Sequence, residues 1–541
     1  MDAISTVPAP QNEPVRDYAP GSAERAGIEA ELAALSASPI ELPMTIDGVQ
    51  RMASGSPLDV VMPHRHAHVL GTTANATAAD ARAAADAALA AAPAWREVAF
   101  DDRAAVFLKA ADLLAGPWRH RLNAATMLGQ SKTVYQAEID AACELIDFLR
   151  FNVSFARQIL AEQPVSGAGV WNRLDHRPLE GFVYAITPFN FTAIAGNLST
   201  APALMGNTVV WKPSPTQQFA AHHLMNLLGE AGLPAGVINL VTGDGRAVSD
   251  ELLADPNLAG IHFTGSTAVF QHLYGAVGAN IAGYRSYPRI VGETGGKDFV
   301  LAHASADVDV VRTALIRGAF EYQGQKCSAA SRAYIARSVW ERVRDELVGQ
   351  TEALSMGDVA DLSNFLGAVI DERSFARLAG VQQRAHADDT ITVLAGGTSD
   401  DSEGYFVRPT LLLGTDPDND IFRTEYFGPV LSIHVYEDAD YDQVIKHIDA
   451  TSSYALTGAV IAQDRAAVAA AQAGLRFAAG NFYVNDKPTG AVVGQQPFGG
   501  GRASGTNDKA GSPLNLLRWT SPRAIKETFV PATSHGYPHQ G

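Results

Sequence analysis

The chain has 541 residues, of which 47% are hydrophobic and 18% are charged, a composition typical of a folded protein with about three or four domain-sized units. Acidic residues outnumber basic residues by 58 to 41, and the resulting net charge of −17 would repel the phosphates of a nucleic acid. Two cysteines are too few for a disulfide framework and indicate a reducing compartment. Because the chain has neither a run of about 18 apolar residues nor the basic-then-apolar start of a signal peptide, we expect a cytoplasmic protein with no membrane contact.

The N-terminal part of the chain is predicted to be mostly helical. Residues 1–70 are rich in proline and polar residues, so we expect an arm that lies over the folded body and contains a helix at Ala23–Ser36. Thr77 and Asp80 have the spacing of a capping box, which starts a helix. The further predicted helices are 81–92, which Pro93 is expected to end, 101–114 and 137–163.

From residue 181 onward, short apolar runs alternate with helical stretches. This alternation predicts βαβ units and a mostly parallel sheet. It starts again after residue 300 with a helix at Val308–Phe320, so we expect two α/β units in series that join near residue 290. The predicted strands are 182–186, 208–212, 237–241, 259–264, 289–291, 298–301 and 329–335, and the helices between the first of them are 219–231 and 246–254.

Two strand-like stretches have no obvious partner near them in the sequence. One lies within residues 161–177, and the other consists of 518–520 and 524–529. We expect these segments to pair with each other and to reach a second subunit.

Two residues are candidates for covalent chemistry. Cys327 lies in a glycine-containing loop beside Lys326, and a nearby cation lowers the pKa of a thiol. Glu293 ends a predicted strand between glycines, where burial can raise the pKa of a carboxyl group into the range of a general base. Taken alone, Cys327 also fits a small buried apolar residue, and Glu293 a surface acid. Cys143 lies on a helical face and is interpreted as core.

Three further candidates follow strands of the first unit. The Asn190 amide can donate to a developing oxyanion, although an asparagine after a proline also fits a turn. Lys212 suits a ribose or phosphate oxygen. Gly265 and Ser266 open a helix whose N-terminus attracts anions. Ligands of open α/β sheets bind at the carboxyl ends of the strands, so these positions together predict a nucleotide crevice.

Together these segments resemble the aldehyde dehydrogenase superfamily from about residue 45 onward. Glu293 and Cys327 lie 34 residues apart, as the general base and the nucleophile of the family do. The other resembling segments are 263–266, 425–430 and 497–500.

The resemblance implies a fold and a mechanism. We expect a Rossmann-type nucleotide domain, an α/β catalytic domain and a small β flap for oligomerisation. The Cys327 thiolate would attack an aldehyde, the Asn190 amide and the Cys327 N–H would hold the oxyanion, and Glu293 would activate the water that hydrolyses the thioester. The cofactor would be NAD, with no metal, and its implied contacts are Ile186, Pro188, Lys212, Ser214, Gly265, Ser266, Glu425 and Phe427. Many members that prefer NAD have an acid where this chain has Pro215, so use of NADP stays open.

Within the superfamily, segments 144–148, 188–194, 325–328 and 496–522 are similar to the glutamate γ-semialdehyde dehydrogenases, which carry out the second step of proline degradation. The resemblance implies that Glu144 accepts from the substrate ammonium group. It also implies a carboxylate anchor at Ser328, Gly511 and Ser512, and spacer packing on Phe191 and Trp519. Lys326 would attract the carboxylate or lower the pKa of Cys327.

The same resemblance implies the boundaries of the domains and an assembly. The NAD-binding domain is expected to take residues 1–163 and 183–291, the catalytic domain 292–517, and the flap 164–182 and 518–541. The flap implies a homodimer or a higher oligomer. The alternatives are a dehydrogenase for another semialdehyde such as succinate semialdehyde, an acyl transfer to coenzyme A, which Glu293 argues against, and a binding protein without catalysis. The length leaves no room for a fused proline-oxidising enzyme.

Overall fold

The computed structural model describes residues 5–541. Its strands are β1 (Ile40–Glu41), β2 (Met44–Ile46), β3 (Val49–Arg51), β4 (Pro57–Met62), β5 (Arg65–Ala74), β6 (Val170–Arg177), β7 (Phe182–Thr187), β8 (Thr208–Pro213), β9 (Ile238–Leu240), β10 (Leu258–Thr264), β11 (Arg289–Glu293), β12 (Asp298–Ala302), β13 (Ala330–Ala336), β14 (Ile391–Ala395), β15 (Ser399–Asp400), β16 (Phe406–Val407), β17 (Thr410–Gly414), β18 (Val430–Tyr436), β19 (Tyr454–Ala455), β20 (Thr457–Ile461), β21 (Asn481–Val484), β22 (Gly501–Arg502) and β23 (Ser521–Thr528).

Its α-helices are α1 (Ala23–Ser36), α2 (Ala78–Glu97), α3 (Phe100–Ala115), α4 (Arg119–Gln130), α5 (Val134–Ala137), α6 (Leu145–Ala161), α7 (Thr192–Leu204), α8 (Gln218–Glu230), α9 (Gly245–Ala254), α10 (Thr267–Ala279), α11 (Val308–Phe320), α12 (Arg337–Glu352), α13 (Glu372–Ala387), α14 (Tyr441–Thr451), α15 (Arg465–Gly474) and α16 (Pro513–Leu517). A π-helix, Glu138–Glu144, lies between α5 and α6.

The first large sheet has the strand order β11-β10-β7-β8-β9-β2-β3. Its strands from β11 to β9 are parallel, whereas β2 and β3 add antiparallel pairs at one edge. Along β8, Val209 and Trp211 join the apolar cluster on one face and Val210 joins the cluster on the other. Both faces are therefore covered, as is usual for parallel sheets.

The carboxyl ends of four neighbouring strands of this sheet meet at one edge. The strand register pairs Ile186 with Lys212 and with Phe263, and it pairs Thr264 with Glu293. This edge is where open α/β sheets bind their ligands. The register thus brings Ile186, Lys212 and Glu293 to the same crevice.

The second large sheet has the order β14-β17-β18-β13-β12-β20-β21 and is parallel except for β14. Its helices α11 and α12 contribute Val311, Leu315 and Val339 to one continuous apolar core. The loop that carries Cys327 leads into the central strand β13, and the loop that carries Glu425 leads into the neighbouring β18. The predicted α/β fold class is confirmed.

The N-terminal region differs from the predicted arm. Helix α1 has the predicted bounds, but β2 and β3 extend the first sheet, and β4 pairs with β5 in an antiparallel hairpin. This part of the chain is therefore built into the body, and the prediction of an arm over all of residues 1–70 was wrong.

Pro93 does not end helix α2, which continues to Glu97. A proline removes one backbone hydrogen bond of the helix. The last turn is held by tertiary packing instead, because the buried Trp95 donates its indole N–H to the carbonyl of Ala203 at 2.9 Å. Helix α4, which was not predicted from the sequence, follows α3 after a short turn.

The two unpartnered segments pair with each other, as predicted. Strands β6 and β23 form an antiparallel two-stranded sheet in which Val170 pairs with Thr528 and Arg177 with Ser521. Within residues 5–541 this ribbon forms a sheet of its own, and neither strand joins a larger sheet. No helix in the same range is long and apolar enough to cross a membrane.

Candidate active site

The loop before Cys327 makes an unusually tight turn. Tyr322 and Gln323 both adopt left-handed backbone conformations, with φ angles of 52° and 54°, and Gly324 follows with a φ of +63°. A Cβ on Gly324 would lie 2.8 Å from the carbonyl oxygen of Ala319, which leaves no space for a side chain there. The turn carries the chain from the end of α11 to Cys327, whose side chain is 9% exposed.

The thiol of Cys327 lies in a buried environment on which the charges of several carboxyl groups act. Burial raises the pKa of this thiol well above its usual value, and the charges of Asp298, Glu293, Glu425 and Glu144 add to the effect. Among the described residues, Lys326 donates no hydrogen bond to the Cys327 thiol, and its expected effect on this pKa stays a prediction. The Lys326 ammonium group forms an ion pair with Glu321 at 3.2 Å instead.

Glu293 lies at the carboxyl end of β11, between the two large sheets. Its Oε2 accepts the N–H of Gly500 at 3.1 Å. Burial raises the pKa of Glu293 well above its usual value, against the lowering effects of the Gly500 hydrogen bond and of Lys509. A neutral carboxyl group with a raised pKa can become a general base as the pH approaches that pKa.

Asn190 directs its amide at the loop of Cys327. Its Nδ2 donates to the carbonyl of Gln325 at 3.0 Å, and the side chain is buried. An amide nitrogen carries two hydrogens, so one N–H is left for another acceptor. Among the described residues, no acceptor takes the backbone N–H of Cys327 either. Two N–H donors at the Cys327 loop therefore have no acceptor, which is a feature that an oxyanion site needs.

The predicted cofactor contacts of the first unit lie along the edge of its sheet. Burial lowers the pKa of Lys212 to about 8, partly offset by Asp244. The Lys212 ammonium group lies 3.2 Å from the position of a Cβ on Gly245, so a side chain there would press on the end of the lysine. Ser266 is exposed and caps α10 by accepting the N–H of Val269.

The remaining contacts from that unit border the same crevice. Ile186 and Pro188 are partly exposed at the end of β7. Ser214 shares a hydrogen bond with the hydroxyl of Thr216 at 3.1 Å, and Gly265 is partly exposed just before α10.

Glu425 reaches the crevice from the second unit. It accepts the N–H of Gly296 at 2.8 Å, and burial raises its pKa to about 7. Phe427, with a φ of 52°, contacts Phe189 edge-on with ring centroids 5.7 Å apart. Residues of both units thus face each other across one crevice.

These donors fit a dinucleotide such as NAD. The Lys212 side chain is buried, and within residues 5–541 no atom accepts a hydrogen bond from its ammonium group. The Lys212 cation and the Glu425 carboxyl group suit the hydroxyls of two riboses. The exposed N-terminus of the 13-residue helix α10 suits a pyrophosphate. The described residues contain no cluster of three or more His, Cys, Asp or Glu side chains that could hold a metal ion.

The predicted substrate contacts have different environments. Glu144, at the end of the π-helix, is partly exposed, and burial raises its pKa to about 8. Phe191 is partly exposed at the start of α7. The Ser328 hydroxyl donates to the Thr489 hydroxyl at 2.9 Å, so it must exchange that partner to bind a carboxylate.

The Gly511–Ser512 turn precedes the short helix α16. Gly511 has a φ of +75°. The Ser512 hydroxyl donates to the carbonyl of Lys509 at 2.6 Å and accepts the N–H of Leu514, so it caps the N-terminus of α16. The backbone N–H groups of Gly511 and Ser512 have no acceptor within residues 5–541. The backbone of the turn, more than the hydroxyl, is therefore ready to bind an anion.

Trp519 does not line the cleft. Its side chain is completely buried, and its ring packs on that of His262 at 4.6 Å between centroids, beside Gly260 of β10. The predicted contact of Trp519 with the substrate was therefore wrong, because the tryptophan belongs to the core of the first sheet.

Three residues of the site were missed in the sequence. Lys132 forms a buried ion pair with Asp140 at 2.7 Å. Lys509 donates to the carbonyls of Gly480 and Gly499, at 2.8 and 3.0 Å, and so holds the loop that contacts Glu293. Lys132 and Asp140 lie outside the resembling segments, and Lys509 lies within 496–522 but has no residue pattern of its own, so the sequence offered no signal for their roles.

The Aldehyde dehydrogenase family model matches residues 50–525. The chain belongs to this family. A "Probable delta-1-pyrroline-5-carboxylate dehydrogenase" of Schizosaccharomyces pombe is 51% identical over 98% of both chains. A protein of Emericella nidulans named "Delta-1-pyrroline-5-carboxylate dehydrogenase, mitochondrial" is also 51% identical, over 99% of this chain and 95% of its own.

Among solved structures, the Delta-pyrroline-5-carboxylate dehydrogenase from Mycobacterium tuberculosis bound with NAD superposes with a TM-score of 0.97. It is 68% identical and covers all of both chains. The predicted membership of the aldehyde dehydrogenase family and its fold are thus confirmed.

Proposed function

We propose that the protein uses NAD to oxidise L-glutamate γ-semialdehyde, the open form of 1-pyrroline-5-carboxylate, to L-glutamate in proline degradation. The observation that carries this proposal is the placement of two carboxyl groups: Glu293 ends β11 and accepts the N–H of Gly500 at 3.1 Å, and Glu144 ends the π-helix. Both lie near enough for their charges to act on the Cys327 thiol. One carboxyl group suits the activation of water, and the other suits recognition of an ammonium group. Relatives of about half identity over nearly the full chain carry the corresponding name.

In the first stage, the Cys327 sulfur adds to the aldehyde carbon as the thiol releases its proton to solvent water. The C–S bond forms while the carbonyl π bond breaks, and the negative charge moves to the oxygen. The free N–H of the Asn190 amide and the backbone N–H of Cys327 receive this oxyanion. NAD, when bound, supplies the acceptor for the hydride that leaves the same carbon.

In the second stage, water hydrolyses the thioester. Glu293 takes a proton from the water, whose oxygen adds to the thioester carbon, and the C–S bond then breaks to release the acid and the Cys327 thiol. The Gly500 N–H donates to the Oε2 of Glu293 at 3.1 Å and fixes the position of its carboxyl group. Lys212, Ser214, Ser266, Glu425, Phe427, Ile186, Pro188 and Gly265 would hold the cofactor.

Recognition of the substrate rests on both ends of its zwitterion. The N–H groups of Gly511 and Ser512 would bind the α-carboxylate, with the Ser328 and Ser512 hydroxyls and Lys326 as further polar groups near it. Glu144 would accept from the ammonium group, and Phe191 would cover the methylenes. A charge-assisted hydrogen bond contributes about 1.5–3 kcal/mol to the free energy of binding. The carboxylate and the ammonium group of the substrate therefore each affect specificity strongly.

The test is a set of aldehydes assayed with NAD and with NADP by the absorbance of the reduced cofactor. We expect glutamate semialdehyde to have a kcat/KM at least about tenfold above those of glutarate semialdehyde, which lacks only the ammonium group, and succinate semialdehyde. Equal or higher values for either competitor would contradict the proposed substrate. The NADP arm tests whether Pro215 relaxes the choice of cofactor.

We further propose the domain division given by the sequence, with 1–163 and 183–291 around the first sheet, 292–517 around the second, and a flap of 164–182 and 518–541. The flap leaves apolar side chains in solvent, among them Trp171 at 50%, Phe529 at 60% and Val530 at 80% exposure. Such exposure supports a homodimer or higher oligomer built on β6 and β23. A cytoplasmic location also stays a proposal.

A further inference from the structure

Lys132 lies at the junction of the two halves of the site, outside every role assigned above. It follows α4, and its side chain is 1% exposed. Its ammonium group lies 3.9 Å from the centre of the Phe191 ring and 4.5 Å from that of Tyr322. One ring adjoins Asn190, and the other opens the left-handed turn that leads to Cys327. A buried cation between two rings contributes more than an exposed one.

The partner of Lys132 extends this junction. Asp140 binds the ammonium group at 2.7 Å, and its two oxygens accept the N–H groups of Thr192 and Ala193 at 3.0 and 2.9 Å. These N–H groups open helix α7, directly after the segment of Asn190 and Phe191. One ion pair thus holds the start of α7, which the Asn190 segment precedes, against the turn before Cys327.

Lys132 also affects the charge of Glu144. The charged groups that act on Glu144 are Lys132 after α4, Asp140 on the π-helix, Asp147 on α6 and Lys326 beside the nucleophile. Burial raises the pKa of Glu144, Asp140 and Asp147 raise it further, and the two lysines lower it. Lys326 is already paired with Glu321. Lys132 is paired as well, with Asp140, but of the two lysines it lowers the pKa of Glu144 more.

We propose that Lys132 is a positioning residue that also determines substrate specificity. Through Asp140 it holds the Asn190 segment against the Cys327 loop. Asp140 lies on the same π-helix as Glu144, and the positive charge of Lys132 favours the ionised Glu144 that accepts the ammonium group of the substrate. The inference rests on the proposed function and deepens it, because it names what makes the site select an α-amino acid aldehyde.

The test compares glutamate semialdehyde with glutarate semialdehyde, which differ only in the ammonium group. In Lys132→Met, we expect the ratio of their kcat/KM values to fall by about tenfold or more, mainly through the KM for glutamate semialdehyde. Lys132→Arg keeps a cation and should hold the ratio within about threefold of the wild type. Lys446→Met, on the exposed face of α14, is the matched control and should change nothing.

The variant Asp140→Asn distinguishes an effect on substrate specificity from a general loss of activity caused by a disturbed structure. It removes a negative charge near Glu144 and one acceptor for the N-terminus of α7. We expect kcat to fall for both aldehydes while their ratio stays the same or rises, the opposite of the effect of Lys132→Met. This arm decides the question even if Lys132→Met fails to fold.

Two outcomes would overturn the inference: an equal loss for both aldehydes in Lys132→Met, or a fall of the ratio in Asp140→Asn. A wild-type enzyme that does not prefer glutamate semialdehyde would instead contradict the proposed function itself. NAD binding measured by calorimetry identifies variants that have lost their fold.

Discussion

A single methyl group at Gly295 is expected to weaken the binding of NAD without disturbing the fold. A Cβ at this position would lie 2.6 Å from the carboxyl carbon of Glu425 and 2.7 Å from its Oε1. Contacts of this length are far inside van der Waals distance, so the carboxyl group must move away. The three atoms nearest to the added Cβ all belong to the carboxyl group of Glu425, at the end of a flexible side chain, so the backbone can stay in place.

The size of the effect follows from the bonds that Glu425 makes. A charge-assisted hydrogen bond is worth about 1.5–3 kcal/mol, so the loss of one such bond to a ribose hydroxyl should raise the Kd for NAD by about 10- to 150-fold. The hydrogen bond from Gly296 to Glu425 is also lost, which should lower the free energy of unfolding by about 1 kcal/mol.

The assay is calorimetric titration of Gly295→Ala with NAD, together with chemical denaturation. Gly349→Ala is the matched control, because Gly349 lies inside α12 with no atom within 4 Å of its added Cβ, and its Kd should equal that of the wild type. Wild-type affinity in Gly295→Ala would refute the role of Glu425 in holding the cofactor.

Three further predictions concern the thiol, the base and the anchor. Cys327→Ala should abolish the oxidation of aldehydes in the absorbance assay and retain NAD binding in calorimetry; measurable turnover would rule out the nucleophile. Hydrolysis of the thioester should speed up as pH rises, because burial holds the pKa of Glu293 high and leaves its carboxyl group neutral at acidic pH; a steady-state rate after the burst that is flat with pH would remove Glu293 as the base. Ser512→Ala should raise the KM for glutamate semialdehyde more than that for pentanal, and equal changes would assign the hydroxyl to the cap of α16 alone.

Elements with a clear hydrophobic period were predictable from the sequence. Helices α1 and α11 have the predicted bounds, and the seven predicted strands lie within a residue or two of β7 to β13. The other strands of the two large sheets, β2 and β3 of the first and β14, β17, β18, β20 and β21 of the second, were not predicted. The order of strands then brings Lys212 and Glu293 to one edge, so a crevice follows from local patterns. The pairing of β6 with β23 was also predictable, because each segment lacked a partner nearby.

Features that depend on distant contacts were not predictable. The tertiary hydrogen bond of Trp95 holds α2 beyond Pro93, and no local pattern encodes it. Tyr322 and Gln323 adopt left-handed conformations that neither residue type favours. Trp519 looked like a cleft residue because it lies in a motif of the family, but it packs under β10. The charge of Cys327 also depends on carboxyl groups from distant segments.

The most direct test of the account is to trap the covalent intermediate. Glu293→Gln, which cannot accept a proton from water, should be mixed with glutamate semialdehyde and NAD, quenched with acid, digested and analysed by mass spectrometry. We predict a burst of NADH and a glutamyl group attached to the peptide that contains Cys327. NADH formation without an adduct, or an adduct on any other residue, would contradict the central claim that this thiol carries the acyl group.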